Sequence, residues 1–152
     1  MAQYKSRFSQ GRTGGVGTTG VTSTEIINAG TKEAFIKKIT CNLTAATATL
    51  IGVGRPAAAG VTPTAPVALL ADNGVDTTLV KTAIAWATPP TIPAVFLRQG
   101  SAPAAIGNVI EFVFDGQGLR LAPNQTLVIW NLGTNSILNV TVVAEQNVIA
   151  VV

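Results

Sequence analysis

Three runs near the end of the chain decide the fold: VIEFVFD at 109–115, TLVIWNL at 126–132 and ILNVTVVAEQ at 137–146. In the first run the apolar Ile110, Phe112 and Phe114 occupy alternate positions. The last run alternates in the same way, from Leu138 to Ala144. A period of two is typical of half-buried β-strands, because successive side chains point to opposite faces of a sheet.

The middle run is apolar on both faces, since residues 127–130 follow one another without a polar side chain. A strand of this kind has two interpretations. It is central in its sheet and covered on both sides, or one of its faces meets a neighbouring subunit. The sequence leaves both open.

The rest of the chain predicts short strands and no lasting helical period. The predicted strands cover 21–27, 34–43, 46–53, 67–71, 75–81, 83–87 and 94–98. We expect the strand at 46–53 to pair with the one at 34–43 through a short turn. The triplet Asp72-Asn73-Gly74 is a strong hairpin-turn signal between two further strands.

Proline-rich and glycine-rich segments separate these strands. Prolines predict a long surface loop over 54–66, since proline cannot donate a ladder hydrogen bond, and 99–105 is predicted as another loop. The apolar tail at 147–152 is expected to pack as a strand or to cross to a partner. The many short strands with frequent turns predict an all-β protein, an antiparallel sandwich or barrel.

The first twenty residues differ from the remainder in composition. Residues 1–20 hold Lys5, Arg7 and Arg12, no acidic residue, and five glycines between positions 11 and 20. We therefore predict a flexible, basic, glycine-rich arm over 1–20 and a β-sandwich domain over 21–152. Tyr4 and Phe8 would serve as anchors if the arm clamps a neighbouring molecule. The alternative is a disordered leader.

Charge is scarce throughout the chain. Charged residues make up 11% of the sequence, against roughly 25% in an average soluble domain, while hydrophobic residues make up 47%. This favours a surface largely covered by other protein, although a neutral monomer is the alternative. Three cations in the arm are too few for nucleic-acid binding, so an acidic protein partner fits better. We expect no membrane span and no signal peptide, hence synthesis in a cytoplasm.

The residue types argue against an enzyme. The chain has no histidine, which excludes Ser-His-Asp and Cys-His arrangements and histidine metal sites. Glu111 and Asp115 would lie roughly 13 Å apart along a strand, too far for a glycosidase pair unless the strand is bulged. The segment Asp72–Asp76 has oxygen ligands for calcium at alternate positions, but a plain turn is favoured. We expect no metal and no cofactor.

Three other residues have a structural and a functional interpretation. Cys41 sits in the apolar pattern of the strand at 34–43, which predicts a buried thiol rather than a reactive one. Trp86 and Trp130 could stack on a sugar, but a core position is commoner for tryptophan. Lys37 and Lys38 are adjacent in the same strand, so their side chains are expected on opposite faces.

The stretch GLRLAPNQTLVIWN at 118–131, together with the basic glycine-rich arm and the neutral β domain, resembles small structural proteins of tailed bacteriophage virions. It is similar to head decoration (cement) proteins and their jelly-roll relatives. The resemblance implies an antiparallel jelly-roll-like sandwich with an extended N-terminal arm. It also implies a trimer, or small clusters, on the outer surface of the virion, with the major capsid protein and sister copies as partners, and neither nucleic acid nor membrane.

In that interpretation the arm staples neighbouring subunits. The predicted contact residues are Tyr4, Lys5, Arg7, Phe8 and Arg12, with the aromatic side chains as anchors and the cations pairing with acidic groups. Two other virion functions stay open: a jelly-roll protein that forms the capsid shell itself, and a receptor-binding or carbohydrate-binding module. A shell protein should assemble into large particles alone, whereas a cement protein should stop at monomers or trimers.

Overall fold

The computed structural model describes residues 3–14, 21–133 and 137–149, and the regular elements in this part are all β-strands. They are β1 (Gln3–Thr13), β2 (Val21–Asn28), β3 (Ala34–Leu43), β4 (Thr49–Gly54), β5 (Val61–Pro63), β6 (Val67–Ala68), β7 (Leu70–Ala71), β8 (Val80–Ala83), β9 (Trp86–Thr88), β10 (Arg98–Ala102), β11 (Val109–Val113), β12 (Leu119–Leu121), β13 (Thr126–Asn131) and β14 (Leu138–Ile149). The predictions for residues 1–2, 15–20 and 150–152 lie outside the described residues.

Eight of these strands form two four-stranded sheets with jelly-roll connectivity. The β14 sheet has the order β11-β3-β14-β1, and the β13 sheet has the order β10-β4-β13-β2. The eight strands form four antiparallel pairs: β1–β14, β2–β13, β3–β11 and β4–β10. Successive pairs lie alternately in the two sheets, as in a jelly roll. Short strands extend both sheets: β7 lies beside β1, β12 beside β3, and β8 and β6 beside β2. The predicted all-β, antiparallel jelly-roll-like sandwich is confirmed.

The core lies between the two sheets and follows the alternation visible in the sequence. On β14, alternate residues from Leu138 to Ala144 are buried, and Leu127 and Ile129 of β13 belong to the same apolar cluster. Each large apolar side chain buried in this way contributes about 1.5–3 kcal/mol to stability. The period of two in β14 therefore determines which face of the β14 sheet packs against the core.

The central strand β13 is buried on both faces. Leu127 and Ile129 face the core, while Val128 and Trp130 are buried on the opposite side of the sheet. That side is covered by the segment between β4 and β10, where the Phe96 ring meets the Trp130 ring edge-on at 5.6 Å between centroids. Of the two interpretations of the apolar run, the doubly covered central strand is correct. The cover comes from the chain itself.

The predicted arm is wrong for residues 3–13. They form β1, which pairs with β14 from Gln3 opposite Ile149 to Thr13 opposite Asn139. Sequence alternation did not reveal this strand, because the buried positions beside Phe8 include the polar Ser6. The boundary predicted at residue 20 therefore does not separate these residues from the sandwich.

Several predicted pairings are also wrong, because consecutive strands of a jelly roll alternate between sheets. β4 pairs with β10 and β13 rather than with β3. The predicted strand at 67–71 divides into β6 and β7, which lie in different sheets. The turn at Asp72-Asn73-Gly74 therefore does not close a hairpin. The predicted loop at 99–105 includes most of β10.

Candidate functional site

The segment between β4 and β10 builds the first of two candidate interaction surfaces. Residues 56–66 and 84–97 form a lobe that is held together by the pairing of β5 with β9 and by a bridge between Ala58 and Thr91. We call these residues the neutral lobe. It rests on the outer face of the β13 sheet, where Phe96 packs against Trp130.

A buried carboxylate fixes the neutral lobe to the sheet. Glu25 of β2 is fully buried. Its carboxylate accepts hydrogen bonds from the backbone N–H of Gly60 at 3.1 Å and from Nε1–H of Trp86 at 2.6 Å. Because both donors belong to the lobe, the pair of bonds attaches the β5–β9 ribbon to β2.

The outer surface of the neutral lobe carries no charge. Sixteen of its residues are exposed; twelve are alanine, valine, isoleucine, leucine or proline, and the other four are threonines. The large apolar side chains exposed here are Val61, Ile92, Val95 and Leu97, and Val95 is 80% exposed. Exposed apolar side chains on a lobe without charge favour an interaction site.

The second surface is the outer face of the β14 sheet, which we call the charged face. Lys5 and Arg7 of β1 lie on it with Lys37 and Lys38 of β3. Arg7 and Lys37 both approach Glu145, at 3.4 and 3.8 Å. Lys38 Nζ lies 3.1 Å from a carboxylate oxygen of Glu111. These pairs are partly exposed, so each contributes little to stability.

A β-bulge brings both adjacent lysines to the charged face. Opposite them, Val143 pairs with Lys38 while Ala144 pairs with Ile36, so that Lys37 is the extra residue of its strand. The bulge interrupts the alternation and allows Lys37 to donate to the carbonyl of Gly116 at 2.7 Å. The expectation that the two lysines point to opposite faces is therefore wrong.

The structure separates the five predicted contact residues. Lys5 and Arg7 lie on the charged face, with Lys5 Nζ 5.6 Å from the centre of the Phe35 ring. Phe8 is 1% exposed and belongs to the core, so it cannot anchor a partner. Arg12 donates to the carbonyl of Thr82 at 2.7 Å, which ties β1 to β8.

Tyr4, the fifth residue, is 41% exposed and donates to Asp76 at 2.6 Å. This hydrogen bond raises the pKa of Tyr4. The pKa of Asp76 is lowered, first by a hydrogen bond from Ser6 and then by that from Tyr4. Tyr4 therefore connects the start of β1 to the segment after β7.

The groups considered for chemistry have structural partners. Asn73 Oδ1 accepts from the backbone N–H of Val75 and of Asp76, so the candidate calcium segment is a closed turn. Among the described residues, no three metal-binding side chains come together. Cys41 is buried, which raises the pKa of its thiol to about 12.

The two tryptophans also have structural roles. Trp130 is buried beneath Phe96, and the indole N–H of Trp86 is bound to Glu25. Neither is arranged as an open platform for a sugar ring. A cleft of about 380 Å³ lies between residues 30–32, 75–79 and 146–148, and its charged side chains are Lys32 and Asp76. That lining contains no pairing of a nucleophile with a base.

In the described ranges, no helix is long and apolar enough to cross a membrane.

Comparison with known proteins gives structural likenesses only. No protein family matches the chain, and no curated protein sequence is similar to it. Similar solved structures include the decameric BFDV capsid protein, with 10% identity, a TM-score of 0.30, and 96% of this chain and 98% of that chain covered. Two structures of infectious bursal disease virus are similar as well. The T=1 particles show 13% identity and a TM-score of 0.21, and the Gx strain shows 16% and 0.20.

The alignments to these two structures cover 97% of this chain, but only 40% and 42% of the viral chains. All three TM-scores lie below 0.5. These likenesses to viral capsid proteins therefore assign neither a family nor a function.

Proposed function

We propose that this protein is a structural component of a virion, a decoration protein that binds the outside of an assembled capsid and stabilises it. The observation that carries the proposal is a jelly roll with two opposed outer surfaces, the charged face on one sheet and the exposed, uncharged neutral lobe on the other. The jelly roll is a frequent fold of viral capsid domains, although it occurs in lectins and enzymes too. The proposal includes no catalytic activity, no cofactor and no metal.

The charged face is the surface that we assign to the capsid. Lys5, Arg7, Lys37 and Lys38 lie there within one sheet, and the first two belong to the contact set predicted from sequence. Glu145 pairs with Arg7 and Lys37, and Glu111 pairs with Lys38, in partly exposed ion pairs. An acidic group of the capsid can replace such a carboxylate at little cost, because exposed pairs are weak.

Stabilisation would follow from mass action. A ligand that binds the assembled shell and not its dissociated subunits raises the stability of the shell by its binding free energy. Many copies on one particle, each weakly bound, together give avidity when they are linked to one another. This mechanism requires surfaces and no reactive centre.

A charge reversal tests the capsid surface. The variant Lys5→Glu should bind purified capsids that lack the protein about tenfold more weakly, because like charges across an interface repel. Lys81→Glu is the matched control, since Lys81 belongs to β8 of the other sheet. Occupancy is measured by co-sedimentation. Equal loss in both variants, or in neither, would remove the charged face from the proposal.

The second candidate is a shell protein, favoured by the complete eight-stranded jelly roll. The two candidates differ in what the isolated chain does. A shell protein assembles into large closed particles, whereas a decoration protein stops at monomers or small oligomers such as the proposed trimer. Light scattering and electron microscopy of the purified protein distinguish the two outcomes.

A further inference from the structure

We infer that the neutral lobe is the surface through which copies of this chain bind one another, the lobe of one copy against the lobe of the next. The inference deepens the proposed function and rests on it for its biological role. Its physical basis is independent, because it concerns the composition, rigidity and position of one surface.

The composition of the lobe selects an uncharged partner. None of its sixteen exposed residues is charged, and its exposed polar side chains are threonines alone. A charged group of a partner would lose water on this surface and find no counter-charge, which is costly. The centres of protein interfaces are depleted of charge in the same way.

The neutral lobe of a second copy is an uncharged partner of this kind. The charged face of another copy is excluded by its cations and glutamates, whereas the neutral lobe of another copy presents an exposed surface without charge. Threonine hydroxyls both donate and accept hydrogen bonds, so threonines of two copies can pair with each other. Such a contact is self-complementary in a twofold dimer and repeats around the symmetry axis in a trimer.

The neutral lobe is also held in a fixed conformation by contacts with the sheet beneath it. Glu25 holds Gly60 and Trp86, and Phe96 packs on Trp130, so the ribbon is fixed before any partner arrives. A fixed surface loses little conformational entropy on association. Because the lobe and the charged face lie on opposite sheets, lobe-to-lobe contact leaves the charged face of every copy open to a particle.

Two valines of similar exposure provide the test. Val95 of the lobe is 80% exposed, and Val75, outside it, is 82% exposed. We expect Val95→Asp to weaken self-association about a hundredfold, because the new carboxylate would be buried without a partner. Val75→Asp should leave it unchanged. Sedimentation velocity over a concentration series gives the dissociation constants, and circular dichroism checks that both variants fold.

Disulfide trapping provides a second measurement that does not depend on dissociation. Val95→Cys should form a disulfide between copies under mild oxidation, whereas Val75→Cys should not. The native Cys41 is buried and does not interfere. The inference is overturned if the wild-type protein stays monomeric, if Val95→Asp associates like the wild type, or if both aspartate variants dissociate equally.

The failure of this inference and of the proposed function have different signatures. A Val95→Asp protein that is monomeric and still binds capsids supports both statements. A wild-type protein that forms oligomers through the lobe and never binds capsids keeps the inference and refutes the decoration function. A protein that binds capsids and never self-associates keeps the decoration function and refutes the inference.

Discussion

Packing on the outer face of the β13 sheet leaves no room for a side chain at Gly52. A methyl group added to it would lie 2.7 Å from Cδ1 of Phe96 and 2.9 Å from Cδ1 of Leu132. Phe96 could not keep its place against Trp130. The absence of a side chain at Gly52 therefore allows the lobe to approach β4 closely.

We expect Gly52→Ala to lower the free energy of unfolding by about 1–3 kcal/mol through overpacking. Gly11→Ala is the control, since the added methyl group would meet its nearest atom, Oγ1 of Thr141, at an ordinary 3.5 Å. Urea denaturation followed by tryptophan fluorescence measures both. Equal stability of the two variants would contradict the close approach of Phe96.

Cys41 gives a prediction for alkaline pH. Burial raises the pKa of its thiol from 9.0 to about 12. Between pH 9 and about pH 12 the folded state therefore keeps a proton on the Cys41 thiol that the unfolded state releases. The contribution of the buried Cys41 thiol to the free energy of unfolding is complete below pH 9 and is lost as the pH rises towards 12.

At about pH 10.5 the wild type should have lost about 1–2 kcal/mol more stability, relative to about pH 8, than Cys41→Ala loses. Urea midpoints of both proteins at the two pH values give this difference. A thiol reagent at the lower pH should label the unfolded protein and spare the folded one. Identical pH profiles of the two proteins would show that the thiol titrates normally.

At the scale of elements, the hydrogen bonds of Glu25 determine how firmly the lobe is held. Trp86→Phe removes one of its two donors and leaves a buried carboxylate oxygen unpaired, which costs about 1–3 kcal/mol. We expect faster hydrogen exchange of the amides at 56–66. Thr88→Val, an exposed change on the same strand β9, should leave exchange unchanged. Unaltered exchange in Trp86→Phe would mean that packing alone holds the lobe.

The elements that the sequence predicted best are those with apolar alternation or a continuous apolar run. The predicted strand at 34–43 has the bounds of β3, and β11, β13 and β14 lie where the three C-terminal runs place them. β1 escaped prediction because its inward side chains are partly polar. The pairing of β4 was missed because strand neighbours in a jelly roll are distant in sequence, and no local pattern records them.

The candidate surfaces were harder to predict than the strands. Residues 56–71 and 82–97 contain no charged residue, a signal that could have indicated the neutral lobe. The prolines and alanines of 54–66 indicated a loop instead, and periodicity cannot show that such a loop covers β13. The charged face depends on a bulge at Lys37, which the alternation of β3 conceals.

At the scale of the whole molecule, the two surfaces should respond oppositely to salt. Between about 0.05 M and about 0.5 M NaCl, capsid occupancy should fall, because screening weakens contacts of the charged face. Self-association through the uncharged lobe should be unchanged or stronger. Co-sedimentation with capsids and analytical ultracentrifugation of the protein alone measure the two effects. Self-association that weakened in parallel with occupancy would indicate that charged groups mediate both.

The position of β14 between β1 and β3 has a consequence for biosynthesis. Residues near position 8 must wait for a partner near position 144, which the ribosome adds more than a hundred residues later. One entire sheet therefore lacks its middle strand until translation of the domain is nearly finished. A nascent chain halted before β14 would expose the inner faces of β1 and β3 to chaperones and proteases.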